Sequence, residues 1–150
     1  MGAKIYELLS QRDDLEFLII DPDKRRDVEE RKKFLNAADL VLLCLPEDTA
    51  RETIPLVENP STRILDTSPA HRTEPGWVYG FAELLPGQRQ RIRFSKRVSN
   101  PGCHASGFLS TVAPLVKLGI LPPDYPVSCF SITGYSGGGK DMIAEYEDPN

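Results

Sequence analysis

No stretch of this 150-residue chain comes near the roughly 20 consecutive apolar residues that a membrane helix needs. The opening residues, MGAKIYELLSQRDD, turn polar and acidic sooner than a signal peptide does. Cysteine is scarce. Cys44, Cys103 and Cys129 are widely spaced, and an odd count without a CxxC pair fits neither a disulfide framework nor a zinc site. No metal site is expected, and a reducing cytoplasm is the expected compartment. Positive charge is not in excess either. The formal net charge is −4, whereas a nucleic-acid partner asks for a basic face. The one basic run, RQRIRFSKR from Arg89 to Arg97, has only Phe94 as an interleaved aromatic and reads as a solvated helix face. Internal repeats and low-complexity segments are absent.

What is present is the pattern of an α/β protein. Ile5, Leu8 and Leu9 give a helical spacing at the start. LEFLII (Leu15 to Ile20), LVLLCL (Leu40 to Leu45) and RILD (Arg63 to Asp66) are short apolar runs with strand character. Between them lie DKRRDVEERKKFLNAAD, helical in its second half, and EDTARETIPLVEN, a helix that Pro55 weakens. Strands that are apolar throughout and alternate with helices predict a parallel sheet covered on both faces. The expected fold is a partial doubly wound, Rossmann-like parallel sheet over residues 1–98, followed over 99–150 by the beginning of an α+β substrate domain. From Thr67 to Gly87 the texture of Pro, Gly, His and aromatics predicts loops over the strand ends. Residues 88–97 predict a short helix. Phe108, Leu109, Val112, Leu115 and Val116 mark one face of a further helix, which Pro114 should kink. VSCFSIT predicts a strand and DMIAEYED a helix. A doubly wound nucleotide-binding fold normally opens on a strand and a glycine-rich turn. This chain opens on the helix after that turn and stops one element past a loop, so a fragment of a longer protein is expected.

The stretch GYSGGGKD, Gly134 to Asp141, has the spacing of the front of a Walker A motif. That motif needs Ser or Thr after its lysine to hold Mg²⁺, and Asp141 stands there. Two readings remain: a flexible turn, or a nest of backbone N–H groups from Ser136 to Gly139 that holds an anion. Cys103 is the reactive partner that would decide between them. It follows Asn100-Pro101-Gly102 at the start of a predicted helix, where unpaired N–H groups and the dipole favour thiolate. Asn100 offers a side-chain amide for substrate or oxyanion. The competing reading is a buried structural cysteine, which is also the expectation for Cys44 and Cys129 inside apolar strands.

SNPGC (Ser99 to Cys103), DTSPAHR (Asp66 to Arg72), PGWVYGFAEL (Pro75 to Leu84) and GYSGGGK (Gly134 to Lys140), in this order over nearly the whole chain, resemble N-acetyl-γ-glutamyl-phosphate reductases of the shorter, second type. Aspartate-semialdehyde dehydrogenase shares the N-x-x-C pattern, but His71-Arg72 and the glycine loop fit the former better. The resemblance implies NADPH-dependent reduction of an acyl phosphate in arginine biosynthesis, with Cys103 as nucleophile and a homo-oligomeric full-length protein. It places Asn100, Ser136, Gly137 and Gly138 toward the substrate. Toward the cofactor it places Gly2, as the last glycine of the missing turn, with Asp21, Arg25, Pro46 and Ser68. Lys24, Arg25 and Arg26 either meet a 2′-phosphate or form a solvated face. His104-Ala105-Ser106 departs from the aromatic-Pro-Thr usual after the cysteine. His104 reads as a surface residue and His71 as a structural or loop contact. The family's catalytic histidine is expected beyond Asn150. A truncated, non-catalytic remnant and a nucleotide hydrolase are the rival functions.

Overall fold

The computed structural model describes residues 2–148. The chain divides into two compact units, one ending at Pro101 and the other starting at Gly102. No helix among the described residues is long and apolar enough to cross a membrane.

The first unit is built on a four-stranded parallel sheet. Its strands are β1 (Leu40–Leu43), β2 (Arg63–Asp66), β3 (Val78–Tyr79) and β4 (Arg97–Ser99), in spatial order β1-β2-β4-β3. The register pairs Val41 with Ile64, Ile64 with Arg97, and both Asp66 and Tyr79 with Ser99. The expected α/β class and parallel sheet are therefore found. Helices α1 (Gly2–Leu9), α2 (Val28–Ala37), α3 (Glu47–Thr53) and α4 (Gln88–Phe94) belong to this unit.

Local chemistry explains where these helices begin and end. Asp27 caps α2 by accepting from Glu29 N and Glu30 N at 2.9 and 3.1 Å, which satisfies donors that a helix start leaves open. Pro55 ends the α-helical part of α3, and the chain tightens into a 3₁₀ turn over Ile54–Leu56. Asn36, near the end of α2, ties that turn down. Its amide donates to Lys32 O and Leu56 O, and its oxygen accepts from Glu58 N and Asn59 N. Under this connection lies the core: Leu35, Leu43 and Ile64, with Val41, Ile54, Leu56 and Trp77 packed around them. Each fully buried aliphatic side chain of this kind contributes about 1.5–3 kcal/mol. β3 ends against Gly80, where any side chain would meet the Ser99 backbone oxygen at 2.9 Å.

Several expectations need correction. Leu15 to Ile20 is not a strand. It has no partner among the described residues, and Leu15, Leu18 and Ile19 stay exposed. Apolar composition does not make a strand without a neighbouring backbone to bond. The stretch from Thr67 to Gly87 is not all loop, because it supplies β3. Arg97 to Ser99, unmarked in the sequence pattern, forms the strand between β2 and β3.

The second unit contains α5 (Cys103–Lys117) and α6 (Gly139–Glu147). α5 runs through Pro114 to Lys117. Phe108, Leu109, Val112, Leu115 and Val116 all lie on its half-buried face, as their spacing predicts. VSCFSIT is not a strand either: Phe130 and Ile132 are 90 and 83 % exposed, and no ladder includes them. No described residue of this unit is buried.

Candidate active site

Where β2 stops, the DTSPAHR motif folds back on its first residue. Asp66 is completely buried, and burying a carboxylate is costly unless donors surround it. Here Ser68 N donates at 2.9 Å, Ser68 Oγ at 2.7 Å, and His71 Nδ1 lies 2.6 Å from Oδ2. A carboxylate oxygen only accepts, so the Nδ1 carries the proton. The His71 ring also stacks on Trp77, with centroids 4.1 Å apart and planes within 12°. The two ends of this turn grip Asn100. Asn100 N donates to Asp66 O at 2.7 Å, and Arg72 Nε donates to Asn100 O at 3.2 Å. The Asn100 side-chain amide donates to Pro101 O at 3.1 Å. Beside it, Ser99 Oγ is buried without a hydrogen-bond partner.

In the second unit Cys103 is the first residue of α5 and is exposed. Gly102 precedes it as the cap and offers no side chain to the helix start. Ser106 donates back to Gly102 O through both N and Oγ, each at 2.8 Å. His104 Nδ1 and Ser131 Oγ share a hydrogen bond. The glycine stretch is ordered into a 3₁₀ turn, Tyr135–Gly138, in which Gly137 N donates to Gly134 O at 2.9 Å. α6 then starts at Gly139, whose φ of +77° lies in the left-handed region that favours glycine. A side chain at Gly137 would meet Thr133 Oγ1 at 2.4 Å. Backbone geometry therefore accounts for glycine at Gly139, while a side chain at Gly137 would require Thr133 to shift. Cys103, His104, Ser131, Thr133, Ser136 and Gly137 line one groove of about 850 Å³.

The structure thus brings together Cys103, Ser136 and Gly137; Gly138 does not line this groove. Cys129 lines it as well and is exposed. That corrects the expectation of a cysteine sealed in a strand, because no strand forms there. Cys44 directly follows β1 and is half-buried. A side chain at Gly2 would touch its Cβ at 3.6 Å.

The residues expected to face a nicotinamide cofactor lie in the first unit. Gly2 opens α1. Asp21 caps the following 3₁₀ turn by accepting from Asp23 N at 3.0 Å. Lys24, Arg25 and Arg26 are exposed, and none has an ion-pair partner among the described residues. A carboxylate followed by unpaired cations is a donor set that suits ribose hydroxyls and a phosphate. Pro46 is exposed at the start of α3, after β1. Ser68 follows β2 but is buried, its hydroxyl committed to Asp66 and to Ala70 N. Sequence reasoning did not find the Asp66–His71–Trp77 assembly. The aspartate-to-histidine spacing at the end of an apolar strand was the available signal.

Comparison with known proteins agrees with the resemblance read from the motifs. The chain is 51% identical over 146 residues to an N-acetyl-gamma-glutamyl-phosphate reductase of Trichormus variabilis, covering 97% of this chain and 45% of that protein. It is 50% identical to N-acetyl-gamma-glutamyl-phosphate reductase 2 of a Nostoc species, again over 97% of this chain and 45% of the relative. The Brucella ovis protein named N-acetyl-gamma-glutamyl-phosphate reductase is 50% identical over 150 residues, which is 99% of this chain and 48% of that one. The chain spans about half the length of the curated relatives it matches. No solved structure matches. The family model for the semialdehyde dehydrogenase NAD binding domain matches residues 2–92, and with most of its length inside that match the chain belongs to the semialdehyde dehydrogenase family through its NAD-binding domain.

Proposed function

We propose that this chain carries the nucleophile and part of the cofactor site of an N-acetyl-γ-glutamyl-phosphate reductase. The reaction reduces N-acetylglutamyl 5-phosphate to the 5-semialdehyde, releases phosphate, and belongs to arginine biosynthesis. Its main support is the exposed Cys103 at the opening of α5, lining the same groove as Ser136 and Gly137. Thiolate at Cys103 attacks the acyl phosphate, the bond to the phosphate oxygen breaks, and the acyl group is held as a thioester. Bound NADPH supplies the hydride that takes this thioester to the aldehyde level. Collapse of the hemithioacetal returns the electron pair to the Cys103 sulfur. Asn100, Ser136 and Gly137 bind the substrate or its oxyanion, and Gly138, which does not line the groove, serves through the turn it ends. Gly2, Asp21, Arg25, Pro46 and Ser68 serve the cofactor. Arg25 with its neighbours favours NADP over NAD, and Ser68 acts there through the turn it closes, since its own hydroxyl is occupied. The working protein is a cytoplasmic homo-oligomer.

Timed alkylation with iodoacetamide, read by peptide mass spectrometry, tests the nucleophile. Cys103 should label fastest, ahead of Cys44 and of Cys129, which is also exposed. Equal, slow labelling of all the cysteines would count against the reading. A second reading, a remnant that turns nothing over, draws on the absence of buried residues among the described residues of the second unit. Phosphate-dependent NADP reduction with N-acetylglutamate semialdehyde separates the two, and a flat trace selects the remnant.

A further inference from the structure

Asp66 and His71 are the buried residues of this unit that pair a carboxylate with an imidazole, set beside an aliphatic cluster of Leu35, Leu43 and Ile64. They add no apolar packing of their own kind, and a buried pair of this sort stabilises little over the apolar residues that could replace it. What the pair does is geometric. It closes the turn from Asp66 to Arg72, because the last contact to the carboxylate comes from His71, the residue just before Arg72. The stack on Trp77 fixes the plane of the imidazole. With His71 held, Arg72 is placed so that its Nε meets the Asn100 carbonyl, while the other end of the same turn takes the Asn100 N–H. Both backbone polar groups of Asn100 are thus set by one closed turn, and His71 is the fastener of that turn.

We propose that His71 is a positioning residue for Asn100, acting through Arg72 and Asp66 without touching substrate. The consequence for turnover rests on the reductase reading above; the structural claim does not. Misplacing a substrate-positioning group by a fraction of an ångström lowers turnover more than binding.

The test uses the 150-residue chain, labelled with ¹⁵N. His71→Phe keeps a flat ring against Trp77 and deletes the Nδ1 donor. His71→Asn keeps an amide N–H where Nδ1 stood. The expected result is that His71→Phe shifts or broadens the Asn100 amide resonance and leaves Val41 and Leu42 of β1 in place, whereas His71→Asn keeps Asn100 near its original position. In turnover, kcat should fall about tenfold in the Phe variant with KM within about twofold, and recover in the Asn variant. If His71→Phe does not fold, His71→Gln takes its place, since its longer amide cannot occupy the Nδ1 position. An unmoved Asn100 resonance, or equal displacement in the Asn variant, overturns the proposal. A wild-type chain that turns over nothing sinks the reductase reading for this chain, and the resonances still decide the positioning role.

Discussion

Asn36 shows how one side chain can hold a connection that no regular element provides. It bonds Leu56 O, Glu58 N and Asn59 N, all across twenty or more positions of sequence. Asn36→Ala leaves Leu56 O and Asn59 N partly buried and without this partner, and should cost about 1–3 kcal/mol; the midpoint of urea unfolding checks it. Ser99 is the opposite case. Its hydroxyl is buried and bonds nothing, so Ser99→Ala removes an unsatisfied group and should raise stability by about 1 kcal/mol, read as an upward shift of the thermal midpoint. The place of Cys103 at the start of a helix was legible in the sequence because its signal is local: Asn-Pro-Gly before it and a helical apolar face after it. Asn36 and Ser99 were not. Their roles depend on strands and turns that come together only in the folded sheet, and neither residue type announces such a role in a sequence.

The elements divide in the same way. α2, α5 and the strands β1 and β2 follow from spacing, caps and apolar runs in the chain itself. Leu15–Ile20 and Val127–Thr133 carry equally strong strand composition, yet form none among the described residues. Hydrophobic pattern specifies that a segment can pair; the partner's backbone decides whether it does. β4 failed the other way, since a strand as short as Arg97–Ser99 is fixed by its neighbours on both sides and not by its own residues. In the second unit, the 3₁₀ turn at Tyr135–Gly138 is joined to α6 by the Tyr135 phenol, which donates to Glu147, and by the edge-on contact of Tyr135 with Tyr146 at 5.5 Å. The hydrogen bond to Glu147, and secondarily burial, hold the Tyr135 phenol above its ordinary value. A raised folded value means that the contact is intact below the usual tyrosine range and is lost as pH climbs through the raised one. Glu147→Gln should bring this titration back toward the ordinary tyrosine range, as followed by the ring-carbon shifts of Tyr135 in an alkaline NMR series.

At the scale of the molecule, the sheet ends on β1, which among the described residues pairs with β2 alone. Leu40 on β1 and Ile19 upstream are each 55 % exposed. Unpaired edges with apolar side chains invite another chain. The 150-residue chain should therefore self-associate as its concentration rises, seen as a growing sedimentation coefficient, and a monomer at every concentration would contradict this.

The burial pattern of β2 has a consequence for how the sheet assembles. Ile64 and Asp66 are buried, while Arg63 between Thr62 and Ile64 is exposed. Sliding β2 by a single residue would exchange these sets, pushing the Arg63 guanidinium inward and pulling Asp66 away from its three donors. Such a near miss satisfies neither the aliphatic layer nor the carboxylate, so the observed pairing is strongly preferred to its neighbours.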